Sequence, residues 1–449
     1  MPTRIEETRS ALVARTGRSR DIGRRSHEIL NMGSAASLEM PHPVFIAASD
    51  RARVYDADGN AYIDCQLGFG THVLGHRHPA VVEALHDAVD RGFQFGIHNP
   101  DQERLASLVR EAVPGVEGVI FCNSGSEATF YAIRAARAFT GRDVVATFDG
   151  AYHGAHDWGM VVVDPDSPID APVGIPMSAG VPAAVYESRM LLPYRRRAAF
   201  DLIRANADRL ALVMIEPVQS SNPRLDEETS AWLRELREVC REHGVLFLMD
   251  EVITGFRIAW GGMAEHLDLA PDLVTHGKAL GGGVPIGGVA GRGDVMRLFR
   301  GASSGDPRGI FSGGSFSGNP LSMAAGVALV GTLRAQRDQV YPYINAQGDR
   351  LASRLNDFAA SHDMAFQVLN AGSMFQLYFQ REPIGSARDV RYADRVAERD
   401  FYLHLLANGV LVPGTRRSFL SAAHTPTDVD AIADAVEASL LAVRDDGRI

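Results

Sequence analysis

Lys278 is the only lysine in this chain of 449 residues, and the other basic side chains apart from histidine are all arginine. An arginine side chain stays protonated, whereas a lysine amine can lose its proton to its surroundings and attack a carbonyl carbon. Lys278 is therefore the candidate for a Schiff base, although a composition biased towards arginine could also leave one lysine without a special role. Because Ala279 follows it, and not Ser or Thr, Lys278 does not belong to a nucleotide-binding P-loop.

A candidate anion site is the stretch NSGSEAT at residues 123–129. It follows the apolar run 118–122, which predicts a buried strand, and it leads into a helix predicted over about 127–139. Backbone N–H groups at a helix N-terminus favour an anion, and the hydroxyl groups of Ser124 and Ser126 suit a phosphate. The alternative is a simple helix N-cap, because serine is common in that position.

Two further stretches place functional groups directly after predicted strands. Asp250 ends the apolar run 245–249, and ligands of open α/β sheets bind at the carboxyl ends of the strands. A carboxylate there can pair with a cation such as a protonated pyridine nitrogen, or it can cap the following loop. Tyr152 and His153 follow the predicted strand 144–148, where an aromatic ring can stack on a planar ligand. Phosphate cradle, aromatic ring, acid and lysine thus follow one another, each at a strand–loop junction.

With these motifs the chain resembles the class III pyridoxal-phosphate aminotransferases of fold type I. The resemblance is greatest to the branch of glutamate-1-semialdehyde aminomutase, D-phenylglycine aminotransferase and the β-phenylalanine aminotransferases. Beyond the stretches above, it rests on Asp64 and on the segments LGHRHP (74–79), FTGR (139–142), IEPV (215–218), DEVITGFR (250–257) and SFSGNP (315–320). It implies an α/β fold: a large domain with a mostly parallel sheet between helices, and a smaller α/β lobe from both chain ends. It also implies pyridoxal 5′-phosphate as cofactor, and an amino donor and a carbonyl acceptor as small-molecule partners.

The resemblance assigns five residues to the cofactor ring and the reaction. Lys278 would form the Schiff base and shuttle a proton, and Asp250 would pair with the pyridine nitrogen. Tyr152 would stack on one face of the ring and is the third residue expected to act in catalysis. Val252 would pack on the other face, with His153 beside the ring. The protonated ring would then accept electrons from the substrate carbon.

The resemblance also assigns the cofactor phosphate. Gly125 and Ser126 would hold it, with help from Ser124. Ser315, where the family usually has threonine, would reach the phosphate from the neighbouring subunit, which implies a homodimer with shared active sites. Two more polar residues are expected at the cofactor: Glu216, where the family has an active-site glutamate, and Gln219, near the ring hydroxyl.

The substrate pocket departs from the aminomutase pattern. Aminomutase-like relatives carry a segment resembling Asn-Ser-Pro-Val-Arg, whose arginine binds the substrate carboxylate, whereas this chain has AASLE ending at Glu39. Glu39 would instead favour a cationic or hydroxylated substrate, with Phe69 as an apolar wall. Arg416 and Arg417 are candidates to supply a cation from the C-terminal lobe, and the alternative for both is a solvated surface.

The elements that must position these residues alternate along the chain. Apolar runs that predict strands also occur at 210–215, 273–276 and 286–290, with helical stretches between several of them. This alternation predicts a mostly parallel sheet covered on both faces. Residues 155–190, rich in Pro, Gly, Asp and Ser, are expected to form a long irregular excursion. We divide the chain into three segments: 1–75 joining the small lobe, 76–325 as the large cofactor-binding domain, and 326–449 as the C-terminal small domain.

Composition excludes several classes of protein. The formal net charge of −10 argues against nucleic acid or an anionic membrane as partner. Since no apolar run approaches the roughly 20 residues that span a bilayer, no membrane segment is expected. The three cysteines are scattered and form no CxxC pair, which predicts a cytoplasmic protein without a metal site.

Three functions remain open at this level. The first is an intermolecular aminotransferase. The second is another pyridoxal-phosphate reaction on the same scaffold, such as an aminomutase, an epimerase or a decarboxylase. The third is a non-catalytic or regulatory protein, against which the retention of both Lys278 and Asp250 argues. The lysine, the aspartate and the phosphate loop do not separate the first two, because the substrate pocket decides which bond breaks.

Overall fold

A computed structural model describes residues 3–27, 29–30, 42–390, 395–412, 414 and 417–448. Two of the predicted substrate residues, Glu39 and Arg416, lie outside this set. Among the described helices, none has the length and apolar character needed to cross a bilayer.

The described residues form sixteen strands. In chain order they are β1 (Ile46–Asp50), β2 (Arg53–Asp56), β3 (Ala61–Asp64), β4 (Gly118–Cys122), β5 (Val144–Phe148), β6 (Val161–Val163), β7 (Gly174–Pro176), β8 (Arg189–Leu192), β9 (Leu210–Ile215), β10 (Leu246–Asp250), β11 (Leu273–Gly277), β12 (Gly287–Gly291), β13 (Gln367–Ala371), β14 (Met374–Tyr378), β15 (Val410–Leu411) and β16 (Ser418–Phe419).

Fifteen α-helices accompany them in the described part of the chain. They are α1 (Arg4–Arg15), α2 (Gly17–Ser26), α3 (Leu67–Gly70), α4 (Pro79–Arg91), α5 (Pro100–Ala112), α6 (Gly125–Thr140), α7 (Ala183–Glu187), α8 (Ala198–Ala205), α9 (Glu227–Glu242), α10 (Gly262–His266), α11 (Gly293–Met296), α12 (Pro320–Ala335), α13 (Arg337–Ser361), α14 (Arg395–Ala407) and α15 (Pro426–Asp445).

The chain folds into two compact units, a smaller and a larger one. The smaller unit consists of Met1–His78, Pro342–Pro383 and Asp389–Ile449, and the larger consists of Pro79–Tyr341 and Ile384–Arg388. The smaller unit therefore draws on both chain ends, as expected from the sequence. The three-segment division at 75/76 and 325/326 stays a prediction of domain organisation.

The larger unit is built on a seven-stranded sheet with the order β4-β12-β11-β10-β9-β5-β8. The pairs β11/β10, β10/β9, β9/β5 and β5/β8 are parallel, whereas β12 is antiparallel to both of its neighbours. Because β12 alone runs in the opposite direction, the other six strands end at the same edge of the sheet. The mostly parallel sheet predicted from the sequence is confirmed.

Helix α6 covers the end of this sheet where the candidate phosphate loop lies. Its alanine-rich face, including Ala128, Ala132 and Ala136, is fully buried in one core with residues of β5, β9, β10 and β11. Small side chains let the helix approach the sheet closely. Gly141 ends the helix in the left-handed conformation at φ 71°, which glycine adopts without strain.

The smaller unit holds two sheets. One has the order β1-β2-β3-β15 and the other β13-β14-β16. Helices α13, α14 and α15 share a core with these strands, centred on residues such as Phe375, Phe401 and Ile432. Thr425 caps α15 through a capping box with Asp428, which satisfies backbone donors at that helix start.

The region 155–190 is more regular than the sequence predicts. The valines of β6 pair with β7 in a two-stranded sheet, and α7 follows before β8 joins the large sheet. The sequence did not predict this hairpin, because three consecutive β-branched residues are too short a signal for a strand in a region rich in Pro and Gly. The helix expected from about residue 127 begins two residues earlier, at Gly125, because Ser124 caps its N-terminus.

Candidate active site

The candidate residues of the larger unit gather at the edge where its six like-directed strands end. Each of five strands has one candidate side chain at its last residue or within a few residues after it. These pairs are β4 with Ser124, β5 with Tyr152, β9 with Glu216, β10 with Asp250 and β11 with Lys278. The carboxyl edge of an open α/β sheet is where ligands bind. The topology thus brings to one edge the groups that are dispersed over about 150 residues of sequence.

Asp250 is buried and held by three donors. Thr275, its neighbour on β11, donates its hydroxyl to Oδ1 at 2.9 Å, and the Val252 backbone N–H donates to the same oxygen at 3.2 Å. The ring nitrogen Nδ1 of His153 lies 2.7 Å from Oδ2. Asp250 is 5% exposed and His153 2%. The carboxylate therefore has a fixed orientation at the strand end, as a partner for a cation requires.

The backbone after β5 is anchored at several points. Thr129 on α6 donates its hydroxyl to the His153 carbonyl at 2.7 Å, and the Tyr152 N–H donates to Glu216 Oε2 at 2.9 Å. Gln219, completely buried, donates from Nε2 to the Asp149 carbonyl at 2.8 Å. Glu216 and Gln219 thus support the loop that carries Tyr152, whose own side chain is 46% exposed.

The start of α6 forms a tight cradle. Ser124 is the N-cap of the helix, and its side chain accepts from the Glu127 N–H at 3.1 Å. The N-cap that the sequence offered as the alternative role of this serine is therefore present. Ser126 Oγ accepts from the Ala155 N–H at 3.0 Å. A Cβ on Gly125 would lie 2.7 Å from Cγ1 of Val252, so only glycine fits. Backbone N–H groups in the first turn of a helix have no helical acceptors, and an anion is favoured at such a position.

Lys278 stands directly after β11 with φ at +46°, in the left-handed region. A non-glycine residue there costs on the order of 1–3 kcal/mol, and such strain concentrates at functional sites. The backbone on both sides of Lys278 is closely packed: a Cβ on Gly277 would lie 3.2 Å from Val252 Cγ1, and one on Gly282 would lie 2.8 Å from the Ala325 carbonyl. The half-buried lysine thus lies on a short 3-10 helix, and the glycines on either side of it pack closely against neighbouring residues.

Sequence reasoning missed several members of this region. Thr275 and Thr129 bind Asp250 and the His153 carbonyl, but a threonine in a strand or helix gives no signal of its own. Glu251 is completely buried and accepts from the N–H groups of Met263 at 2.7 Å and Ala264 at 2.9 Å.

Burial shifts the pKa of two side chains near the site. It raises the pKa of Glu251 to about 7 and lowers the pKa of His276 to about 4.

Ser315 is exposed and does not join this cluster within the described subunit. Its carbonyl accepts from the side-chain amide of Gln94. The predicted approach of Ser315 to a neighbouring subunit's phosphate stays a prediction.

Phe69 and Arg417 belong to the smaller unit. Phe69 is half-buried with φ at +58°. Arg417 is 4% exposed, and its NH1 lies 3.8 Å from the Met374 sulfur. The alternative of a solvated surface is therefore wrong for Arg417. Its role towards substrate stays a prediction.

The arrangement supplies an amine, a fixed carboxylate, an anion cradle and an exposed aromatic ring along one sheet edge. Such a set can hold a planar, phosphorylated cation and move a proton at a carbon beside it. Within the described residues, no group of three or more His, Cys, Asp and Glu side chains is arranged to hold a metal ion.

Comparison with known proteins gives consistent relationships. The model of the class III aminotransferases matches residues 34–430. The glutamate-1-semialdehyde 2,1-aminomutase of Methanothermobacter thermautotrophicus is 36% identical over 94% of this chain and 98% of its own length.

Two solved structures are similar over nearly the whole chain. An omega-transaminase from Sphaerobacter thermophilus superposes with a TM-score of 0.88 at 31% identity, covering 95% of this chain and 98% of its own. A transaminase with pyridoxal phosphate bound superposes with a TM-score of 0.85 at 29% identity, covering 97% of this chain and 99% of its own. The fold type expected from the sequence is confirmed.

Proposed function

The chain belongs to the class III aminotransferase family of pyridoxal-phosphate-dependent enzymes, and we propose that it transfers an amino group from a donor amine to a separate small keto or aldehyde acceptor. The observation that carries the proposal is the position of Lys278. The only lysine of the chain stands at the same sheet edge as the buried Asp250 and the helix N-terminus of α6.

The residues at this edge fit the cofactor. The cradle at Gly125 would be filled by a single Cβ, as expected where backbone approaches a ligand closely. Two buried polar atoms, His153 Nε2 and Gln219 Oε1, have no hydrogen-bond partner in the described part of the chain. Buried polar atoms are normally satisfied, so both suit contacts with a bound group.

This fit supports the following assignments of cofactor-binding residues. We assign the phosphate to Gly125 and Ser126 with Ser124, the ring faces to Tyr152 and Val252, and the pyridine nitrogen to Asp250. The remaining assignments are His153 beside the ring, Gln219 towards its hydroxyl, Glu216 supporting the Tyr152 backbone, and Ser315 contributed to the neighbouring subunit.

The bound cofactor supplies an aldehyde carbon for the Schiff base and a ring that accepts electrons. Lys278 would hold the cofactor through its amine and would take and return the proton at the substrate carbon. Asp250, oriented by Thr275 and His153, would keep a proton on the pyridine nitrogen, because a fixed carboxylate favours the charged form of a cation beside it. Tyr152 would stack on one face of the ring and hold its plane.

A second candidate is an aminomutase, which moves the amino group within one molecule. It is supported by the 36% identity to a glutamate-1-semialdehyde 2,1-aminomutase over almost the whole chain. Against it stands AASLE at residues 35–39, in place of the arginine-bearing segment. A buried substrate carboxylate without a cation would be costly. Of the other residues proposed on the substrate side, Phe69 and Arg417 are described, whereas Glu39 and Arg416 lie outside the described residues.

A screen of donors and acceptors separates the two candidates. Purified holoenzyme is incubated with pairs of amines and carbonyl compounds, and with glutamate-1-semialdehyde alone. An aminotransferase releases one keto product from the donor for each acceptor aminated. Isomerisation of glutamate-1-semialdehyde without net keto product, and no exchange between separate molecules, would establish the aminomutase instead.

We also propose a homodimer that docks through an apolar surface of the larger unit, which we call the 93–97/311–316 surface. Gln94 on one of its segments contacts Ser315 on the other. Five of its large apolar side chains are exposed: Phe93, Phe95, Ile97, Phe311 and Phe316. Exposed large apolar side chains that lie close together mark protein–protein interfaces. Because Ser315 lies in this surface, docking would bring it to the other subunit.

The cellular setting is a proposal as well. All three cysteines, Cys65, Cys122 and Cys240, are free and buried, which suits a reducing cytoplasm. The net charge of −10 and the family's small-molecule chemistry give no role to nucleic acid or membrane partners.

A further inference from the structure

We propose that Arg388 is a positioning residue for the loop that carries Tyr152 and His153, and that it acts through Asp149. The inference rests on the proposed function in one respect, namely that this loop lines the cofactor site. It concerns a residue that lies 239 positions away from Asp149 along the chain.

A short return of the chain into the larger unit brings Arg388 to this loop. Residues Ile384–Arg388 belong to the larger unit although the chain on both sides belongs to the smaller one. Arg224 donates to the Ile384 carbonyl at 2.7 Å, and Asn222 Nδ2 donates to the Gly385 carbonyl at 3.0 Å. A Cβ on Gly150 would lie 2.3 Å from Cβ of Ala387, so this segment packs directly on the loop.

The Arg388 guanidinium connects two segments. Its Nε pairs with Oδ2 of Asp149, the first residue after β5. NH1 donates to the Ser167 carbonyl at 2.6 Å, and NH2 donates to the Ser167 hydroxyl at 3.1 Å. Both partners of the ion pair are largely buried, with side chains 14% exposed for Arg388 and 7% for Asp149. An ion pair removed from water is screened little, and loss of one partner leaves the other charge buried.

Asp149 connects the Arg388 ion pair to the turn that leads to Tyr152. Its N–H donates to the Leu192 carbonyl at 3.0 Å, which continues the β5–β8 ladder. Its carbonyl accepts from Gln219, and the next carbonyl, that of Gly150, accepts from the Ser221 hydroxyl at 2.9 Å. Tyr152 comes two residues later. The Asp149 side chain is therefore the point where the segment 384–388 fixes the start of the turn that aims Tyr152 and His153.

A positioning role of Arg388 differs from a general contribution to the stability of the fold, because it predicts an effect confined to the loop that carries Tyr152. Without the guanidinium, the turn at 149–151 keeps its backbone hydrogen bonds and its packing on Ala387 but loses its ion pair with the segment 384–388. The ring of Tyr152 then varies in position while the fold persists. A misplacement of about 1 Å in a catalytic site can reduce turnover by about 100-fold, so even a small shift is measurable.

The test compares Arg388→Gln, Arg388→Lys, Asp149→Asn and the double variant Arg388→Gln/Asp149→Asn with the parent. The matched control is Arg381→Gln, which removes an exposed arginine paired with Asp363 at 2.6 Å. The first readout is hydrogen exchange of the peptide 148–154 in the cofactor-free protein. The others are the visible circular dichroism of the bound cofactor, kcat and KM separately, and Tm.

We expect faster exchange in peptide 148–154 for Arg388→Gln but not for Arg381→Gln. We also expect altered visible dichroism and a fall in kcat of at least about tenfold with a smaller change in KM. Arg388→Lys should recover part of each effect. The double variant leaves no buried charge, so it should regain Tm over Arg388→Gln while kcat stays low.

Two results overturn the inference. One is unchanged exchange, dichroism and kcat in Arg388→Gln. The other is a double variant whose kcat returns together with its Tm, which would show a purely structural pair. A parent protein that neither binds cofactor nor turns over would contradict the proposed function, and exchange in the cofactor-free protein would still test the role of Arg388.

Discussion

His153 Nδ1 lies 2.7 Å from Asp250 Oδ2, and both side chains are almost completely removed from solvent. The contact joins the loop after β5 to the end of β10, with β9 between these strands in the sheet. It therefore fixes the carboxylate that we assign to the pyridine nitrogen relative to the aromatic ring that we assign to the ring face. The position of the Asp250 carboxylate therefore depends on the position of the loop that carries Tyr152 and His153.

Asp250→Asn should retain cofactor but lose most of its turnover. A neutral amide cannot hold the pyridine nitrogen protonated, and the loss in a buried site should be about 100-fold or more. Single-turnover kinetics with a donor amine measure this directly. Thr275→Val serves as control, since it removes one hydrogen bond to Asp250 and keeps the charge. A rate for Asp250→Asn within about threefold of the parent, roughly 0.7 kcal/mol, contradicts the assignment.

Gly125→Ala should weaken cofactor binding by about tenfold or more, because a Cβ 2.7 Å from Val252 Cγ1 must displace the cradle. Equilibrium titration of the cofactor-free protein gives the affinity. Gly331→Ala is the matched control: it lies within α12, and a Cβ there meets nothing within 4 Å. Adding Val252→Ala to Gly125→Ala removes the clashing methyl and should restore part of the affinity. Unchanged binding by Gly125→Ala would show that the cradle does not hold the cofactor.

His276→Leu should make the free energy of unfolding less sensitive to acid. The pKa of His276 is lowered from 6.5 to about 4 by burial, and neither ring nitrogen has a hydrogen-bond partner among the described residues. A histidine with a lowered folded-state pKa contributes stability above pH 6.5 that is lost as the pH falls towards 4. Glu251, with a pKa raised to about 7, acts with the opposite sign, losing its contribution as the pH rises from 4.5 towards 7.

Denaturant unfolding of parent and variant at pH 7 and pH 5 tests this, since the difference between the two proteins removes the common contribution of Glu251. The advantage of His276→Leu over the parent should be larger at pH 5. His86→Gln, at an exposed position, should track the parent at both values. An equal difference at the two pH values would mean that His276 does not titrate in this range.

Ser315 should act on the site of the other subunit. Mixed dimers of Lys278→Ala subunits with Ser315→Ala subunits should place both defects in one site and leave the second site intact. Activity should therefore reappear on mixing and subunit exchange. Phe316→Ser, within the 93–97/311–316 surface, should shift the protein towards monomer in light scattering. A monomer with full activity would refute the shared-site dimer.

The sequence predicted the large sheet well because its strands are continuous apolar runs, such as 210–215, that end at chemically marked residues. It also placed Lys278, Asp250 and Ser124 at strand ends, and the structure brings these ends to one edge. Arg388 could not be predicted. Its role depends on a five-residue return of the chain from the smaller unit into the larger, and no local pattern of charge or periodicity marks such a return.

The hydrogen-bond partners of individual side chains could not be predicted from the sequence either. The hydrogen bond from Gln219 Nε2 to the Asp149 carbonyl depends on β9 and β5 being neighbours in the sheet, which no local pattern in the sequence shows. The burial of Arg417 was also beyond the sequence, because a pair of adjacent arginines has the composition of an exposed surface.

The measurement that tests the central claim most directly is borohydride reduction of the holoenzyme followed by peptide mapping. Because Lys278 is the only lysine, cofactor should be attached to the single peptide that contains it, and the visible absorbance of the parent should disappear on reduction. Lys278→Ala should show neither attachment nor turnover. Labelling of any other peptide, or turnover by Lys278→Ala at the parent's rate, would contradict the claim that this lysine carries the chemistry.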